Sequence, residues 1–253
     1  MFNGNFNDDI WDEHQWEAHL NEIERKSTHL RKFIAPDHPD YPRWLALLDE
    51  NEDELEAVDA FIAEELELDD AYFPGEDDEE IDDEEWDDFE DFLLDELDDD
   101  LFLDDEDLDD GEEWKELSED FTMSENGSIE TLAIYNDSRE IAAHVLQWAE
   151  SINPRELTTA YNDFVGRVLK IGAKITGGYS FGFDRDFLGG NIAYTKKALY
   201  CANDALTILQ RDLKKSPYLS QKQYFYFHER LFTLRNNIGI YIQELRERFY
   251  KSL

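Results

Sequence analysis

Cysteine and long apolar runs are almost absent from this sequence. Cys201 is the only cysteine among 253 residues, which excludes intramolecular disulfides and cysteine-based zinc sites. No run of eighteen apolar residues occurs, so the sequence predicts no membrane span. The first residues have neither the basic nor the apolar region of a secretory signal. We therefore expect a protein of a reducing, cytoplasmic compartment with no membrane partner.

Basic residues are scarce and unevenly placed. The chain has 23 Lys and Arg against 64 Asp and Glu, which gives a formal net charge of −41. Residues 137–253 hold 17 basic and 12 acidic residues and carry +5, whereas residues 1–136 hold 6 and 52 and carry −46. Adaptation to high salt would acidify both halves, so the basic half argues against it. Such asymmetry is typical of an interaction region beside a folded domain.

The sequence also lacks the residue patterns of known catalytic and metal sites. Its six histidines form no H-E-x-x-H motif, and the C-terminal half has no Glu-x-x-His pair of the kind that binds di-iron in helix bundles. Residues 105–111 resemble the start of a calcium loop, but Gly111 falls one residue late, and Leu108 and Leu117 replace essential ligands in the register that it sets. We predict a protein that is not an enzyme and needs no metal or cofactor.

Apolar residues recur at steps of three and four through the C-terminal half, the pattern of packed α-helices. The segments Asp137–Glu140 and Ser220–Gln223 read as capping boxes, and Pro154 suits a first helical turn. These signals predict helices near residues 137–152, 154–176, 185–215 and 220–250. Because the connections are short, the prediction is an all-α, antiparallel up-down-up-down four-helix bundle over residues 128–253.

The segment KITGGYSFGFDRDFLGG, residues 174–190, holds five of the twelve glycines. It contains no phosphate-binding glycine motif, and no predicted strand precedes it. We interpret it as a hinge between two helices, in which Gly177 and Gly178 end one helix with positive φ and Asp184 caps the next. A ligand-binding loop is the alternative.

Several short runs in this half resemble the four-helix bundle family encoded in intervening sequences of bacterial 23S rRNA genes. The runs that carry the resemblance are Ile171–Tyr179, Asp186–Leu188, Ile192–Ala193 and Lys197–Leu199. That family includes the accessory variability determinant of diversity-generating retroelements, and the resemblance covers residues 135–250. It implies a closed bundle, often a ring-shaped homo-oligomer with five-fold symmetry. In the retroelement branch it implies binding of nucleic acid and a reverse transcriptase through a basic surface.

Two surfaces of the predicted bundle are candidate binding sites. Basic residues that would contact RNA or DNA are Arg167, Lys170, Lys174, Lys196, Lys197, Arg211, Lys214, Lys215, Arg230 and Arg235. Apolar residues that lie off the main stripe of the last helix would form an interface between copies: Phe225, Tyr226, Phe232, Ile240 and Ile242. The alternatives are an ordinary solvated basic face and amphipathic surface aromatics.

The acidic half divides into two segments. Residues 1–68 keep helical patterning that would allow a helical hairpin, with Pro42 at the start of its second helix. Residues 69–127 alternate acids with large apolar side chains and are predicted to be largely disordered in isolation. Such segments fold onto basic, partly apolar partners. The residues that would make this contact are Trp86, Phe89, Phe92, Leu93, Leu101, Phe102 and Trp114.

These observations support two main hypotheses of function. In the first, the chain is a binding and assembly module whose oligomeric bundle presents a weakly basic, nucleic-acid-binding face, regulated or complemented by the acidic half. In the second, the acidic half mimics nucleic acid and captures a basic protein, and the bundle only oligomerises. An inert bundle with a solubilising acidic tail is the third interpretation.

Overall fold

The computed structural model describes residues 10–34, 41–70, 123–124, 127–153 and 156–251, and this part of the chain is all-α apart from one short strand pair. Its helices are α1 (Glu13–Ile34), α2 (Arg43–Glu50), α3 (Glu54–Asp70), α4 (Ala133–Glu150), α5 (Thr159–Ser180), α6 (Arg185–Ile208) and α7 (Gln221–Lys251). Strands β1 (Met123–Ser124) and β2 (Gly127–Ser128) pair antiparallel. A 3-10 turn, Ile129–Thr131, precedes α4, and a π-helical turn, Leu209–Leu213, follows α6.

The four C-terminal helices share one core. α5 packs against α4 and α6, and α7 packs against the same two helices. Most residues that the three-and-four spacing placed on the inner stripes are buried, among them Phe164 and Val168 of α5, Ile192 of α6 and Leu231 of α7. Each buried side chain of this size stabilises the fold by roughly 1.5–3 kcal/mol. The periodicity therefore identified the core-facing side of each helix.

The glycines at the end of α5 have a different role from the one predicted. Gly177 and Gly178 do not end the helix: they are buried inside α5, which continues to Ser180, and the positive φ of 84° belongs to Gly182. A Cβ on Gly178 would lie 3.0 Å from the backbone oxygen of Asn191 in α6. The absence of a side chain therefore lets α5 and α6 approach closely, and the hinge between them is limited to residues 181–184.

The other predicted helix ends have mixed outcomes. The capping box at Ser220–Gln223 is confirmed, because Gln223 N donates to Ser220 Oγ (3.3 Å) and Ser220 N donates to Gln223 Oε1 (3.1 Å). The capping box at Asp137–Glu140 is wrong, because α4 has already begun at Ala133. Asp184 is the N-cap of α6, but its side chain makes no capping hydrogen bond. Pro154 lies outside the described residues.

The described part of the acidic half folds onto the C-terminal helices. α3 packs against α4 and α5 and adds Val58, Phe61 and Ile62 to their core, while α1 packs against α6. The second predicted hairpin segment is broken at residues 51–53 into α2 and α3, which pack on each other. Pro42 is the N-cap of α2 rather than its first helical residue. Most of residues 69–127 lies outside the described residues.

Candidate functional site: a basic face covered by acidic helices

The ten predicted basic residues fall into three groups. Lys170 and Lys174 of α5 lie with Lys196 and Lys197 of α6 on the side that α1 and α3 cover. Arg211, Lys214 and Lys215 are exposed in and just after the π-helical turn that follows α6. The remaining members of the predicted set pair elsewhere: Arg167 with Asp204, Arg230 with Asp137 and Glu140, and Arg235 with Asn203. We use the name covered basic face for Lys170, Lys174, Lys196 and Lys197.

Carboxylates of α1 hold one end of the covered basic face. Lys196 Nζ lies 2.5 Å from Glu17 Oε2 and 3.7 Å from Glu13 Oε1. Arg246 of α7 donates two hydrogen bonds of 2.7 Å to the Glu13 carboxylate. This is the bidentate geometry that favours arginine over lysine. These hydrogen bonds from Arg246 hold the pKa of Glu13 below its usual value, against the effect of burial. Sequence reasoning missed Arg246, because the C-terminal part of a helix is an ordinary place for a basic residue.

The other end of the face is paired in the same way. Lys197 Nζ donates to Glu24 and, at 2.8 Å, to Asn21 Oδ1. Burial would raise the pKa of Glu24, but the positive charges of Lys174 and Lys197 outweigh it and the pKa is lowered. Lys170 Nζ lies 3.4 Å from Glu65 of α3, whose side chain is almost fully buried. In this arrangement Lys174, Lys196 and Lys197 are buried and are not available to a phosphate backbone.

α1 is attached by a small apolar cluster of its own. Leu20 and Ile23 of α1 pack on Ala193 and Tyr194 of α6, apart from the main core. Trp16 packs edge-on against Phe181 of the hinge, with 5.1 Å between the ring centroids. A Cβ on Gly189 would lie 2.5 Å from the backbone oxygen of Trp11, so the start of α6 and the residues before α1 are in close contact.

The predicted interface residues divide between the surface and the core. Phe225, Phe232 and Ile240 are 50–59 % exposed. Tyr226 is half-buried against His144, with a ring separation of 5.4 Å. The assignment of Ile242 is wrong, because it is 2 % exposed and follows Ile238 by one turn on the inward stripe. The acidic-segment residues Trp86, Phe89, Phe92, Leu93, Leu101, Phe102 and Trp114 lie outside the described residues.

Reactive groups in the described residues are few. Cys201 of α6 is buried, and burial raises the pKa of its thiol. No group of three or more His, Cys, Asp or Glu side chains is arranged to hold a metal ion within the described ranges. None of the helices there is both long and apolar enough to cross a bilayer.

Comparison with known proteins identifies no relatives. No protein-family model matches the chain, and neither a curated protein nor a solved structure matches it.

Proposed function

We propose that this chain is a non-enzymatic binding and assembly protein, in which α4–α7 form an antiparallel four-helix bundle and the chain's own acidic helices occupy its basic face. One observation carries the proposal: Lys170, Lys196 and Lys197 each pair with a carboxylate from α1 or α3. Glu13, Glu17 and Glu24 follow one another along α1. Their carboxylates contact the covered basic face in the way that we propose the phosphates of a nucleic-acid strand would. The acidic helices thus keep the bundle from binding nucleic acid until α1 moves away.

The likeness to the bundle family of the rRNA intervening sequences supports both parts of this proposal. That family implies a homo-oligomer with five-fold symmetry and, in its retroelement branch, a nucleic-acid-binding surface. The outward side of α7 fits the first expectation, because Phe232 and Ile240 are half or more exposed and large apolar patches on monomers are uncommon. The single, buried Cys201 fits a reducing, cytoplasmic compartment.

Neutralising the carboxylates of α1 tests whether this helix keeps nucleic acid from the covered basic face. The variant Glu13→Gln/Glu17→Gln/Glu24→Gln in the full chain removes the acid partners of Lys196, Lys197 and Arg246. The unpaired buried cations then destabilise the docked position of α1. We expect labelled single-stranded RNA to bind this variant at least about tenfold more tightly than wild type, with affinity that falls steeply as salt rises. Fluorescence anisotropy measures both.

The matched control is Glu22→Gln/Glu52→Gln/Glu67→Gln, which changes the net charge equally at exposed positions. If the two variants bind RNA equally, the gain is a general charge effect. If neither binds RNA or DNA in low salt, the ion pairs serve only the fold and the nucleic-acid proposal fails.

The second candidate is capture of a basic protein by the acidic half. Its supporting observation is the composition of residues 71–122, which hold 29 acidic residues and one lysine together with two tryptophans and five phenylalanines, among them Trp86, Phe89 and Phe92. In this case a lysine-rich peptide should bind the full chain. Alanine at these three aromatic positions should weaken that binding, because the peptide would contact the aromatic rings as well as the acidic charges. In this case the chain ignores nucleic acid.

A further inference from the structure

A cleft of about 560 Å³ lies between the end of α6 and the start of α7. Lys214, Lys215 and His228 line it together with the apolar surface of Leu219, Tyr224 and Phe225. Its walls are fixed by bonds to the neighbouring helices: Trp148 Nε1 of α4 donates to the Tyr218 oxygen at 2.9 Å, and Tyr161 of α5 bonds to Ser216. The cleft is therefore a built feature of the connection after the π-helical turn.

The cations at this cleft differ from those of the covered basic face. Neither Lys214 nor Lys215 forms an ion pair with a carboxylate of the described residues. The Lys214 ammonium instead lies 6.0 Å from the centre of the Tyr224 ring. Phe225 is 58 % exposed beside them. Unpaired lysines next to exposed aromatic rings suit a ligand that is both acidic and aromatic.

One segment of this chain has that chemistry. Residues 86–102 contain nine acidic residues, no basic residue, and the side chains of Trp86, Phe89, Phe92 and Phe102. The segment belongs to a stretch of 52 residues, 71–122, that lies between the end of α3 and β1 and is absent from the described structure.

The length of this stretch is sufficient to reach the cleft. Both of its ends adjoin the end of α5: Leu66 of α3 lies against Gly177, and Tyr179 donates to the Gly127 oxygen of β2. The cleft adjoins the start of the same helix, where Tyr161 bonds to Ser216. α5 has 22 residues, so the separation is about 33 Å. Trp86 is sixteen residues past Asp70, and an extended chain of that length spans about 50 Å.

We propose that residues 86–102 dock in this cleft of their own chain, with their aromatic rings against Tyr224 and Phe225 and their carboxylates on Lys214 and Lys215. Tethering gives the segment an effective concentration of about millimolar, which a free partner must exceed. Free nucleic acid is less favoured at this cleft, because it would compete with the tethered segment. The site is separate from the covered basic face, so the inference stands or fails independently of the role proposed for α1.

Carbodiimide cross-linking of the full chain tests the docking, because it joins a lysine amine to a carboxylate in direct contact. An equimolar mixture of light and ¹⁵N-labelled protein distinguishes links within one chain from links between copies. We expect Lys214 and Lys215 to link to residues 87–100 of the same chain at least about fivefold more often than the exposed Lys251 does. Mass spectrometry of the digested protein counts the links.

A surface variant shows whether the aromatic contact is needed. Phe225→Ser should reduce the Lys214 and Lys215 links at least about threefold, whereas Phe187→Ser, at a residue 50 % exposed on α6, should leave them unchanged because it is outside the cleft. Both substitutions are at the surface, so the fold is retained.

Three results would overturn the proposal. Links spread evenly over Lys26, Lys214, Lys215 and Lys251 would indicate diffuse charge attraction. Links mainly between light and heavy copies would make the occupant a second molecule. Tight binding of a thymidine decamer, abolished by Lys214→Ala, would assign the cleft to nucleic acid.

Discussion

Gly178 illustrates how one missing side chain positions two helices. A Cβ at this residue would lie 3.0 Å from both the Asn191 backbone oxygen and Thr195 Oγ1 of α6. Gly178→Ala is therefore expected to lower the free energy of unfolding by about 1–3 kcal/mol through overpacking. The measurement is the midpoint of urea unfolding.

Gly166 of the same helix provides the control for that substitution, since no atom lies within 4 Å of an added Cβ. Gly166→Ala should stabilise the protein by about 0.4–1 kcal/mol, because alanine loses less backbone freedom on folding. Equal effects of the two substitutions would contradict the close approach of α5 and α6.

Because of Tyr135 in α4, the stability of the fold is expected to decrease at alkaline pH. Burial, followed by the negative charge of Asp59, raises its pKa from 10.0 to about 12. The neutral phenol of the folded state therefore contributes stability that is complete below pH 10 and is lost as pH rises towards 12. At pH 11 this tyrosine should lower the free energy of unfolding of the wild type by about 1 kcal/mol, and Tyr135→Phe should not show that decrease. Chemical unfolding at pH 9 and pH 11 measures this difference, and Tyr250→Phe, at an exposed residue, should leave the loss intact.

At the residue scale, the sequence predicted helix faces better than single positions. The stripe through Phe227, Leu231 and Leu234 is buried as its spacing predicted. Ile242 was assigned to the surface because the stripe was continued through Tyr241, and the two neighbours differ by only 100° around the helix. Glycine at residues 177 and 178 is common to helix ends and to close helix contacts, and sequence alone cannot distinguish the two uses.

At the scale of elements, α1 is the helix most easily released. Its apolar contact is the small cluster around Leu20 and Ile23, separate from the core that α2–α7 share. Leu20→Ala/Ile23→Ala removes about 2–5 kcal/mol per residue from that contact. Amide hydrogen exchange in α1 should accelerate at least about tenfold, while the inner amides of α5 keep their protection.

Leu55→Ala, at a residue 43 % exposed on α3, provides the comparison for this variant. It should leave the exchange of α1 unchanged. A parallel loss of protection in α1 and α5 would show that α1 unfolds only with the whole molecule, and the proposed movement of α1 would then fail.

The packing of α1 on α6 could not be predicted from the sequence, whereas the helices themselves could. Periodicity reports the faces of one helix, and it placed α7 within one residue of its observed bounds and α5 within five, whereas the predicted end of α6 also included the π-helical turn. The pairing of Glu17 with Lys196 joins residues 179 positions apart, and charge patterns do not specify partners at such distances. The sequence therefore predicted a basic stripe without showing that residues 13–24 cover it.

At the scale of the whole molecule, net charge opposes the proposed assembly. Copies that meet through Phe232 and Ile240 of α7 each carry −41, so repulsion weakens at higher ionic strength. The oligomer should become more stable between about 50 mM and about 500 mM salt, opposite to the expected salt dependence of nucleic-acid binding. Sedimentation velocity at both salt concentrations measures it.

Phe232→Ser/Ile240→Ser should yield monomers at either salt concentration, and Phe187→Ser should assemble as wild type does. A wild-type chain that stays monomeric at high salt would refute the assembly part of the proposed function.

The thiol of Cys201 provides a way to measure how often the helices around it separate in the wild-type protein. Cys201 lies one turn beyond Lys197 on α6 and is 6 % exposed. A soluble thiol reagent reaches such a sulfur only when the surrounding helices separate, so its rate of modification reports how often they do. No other cysteine competes for the reagent. A ligand that holds the helices together should therefore slow the modification of Cys201 alone.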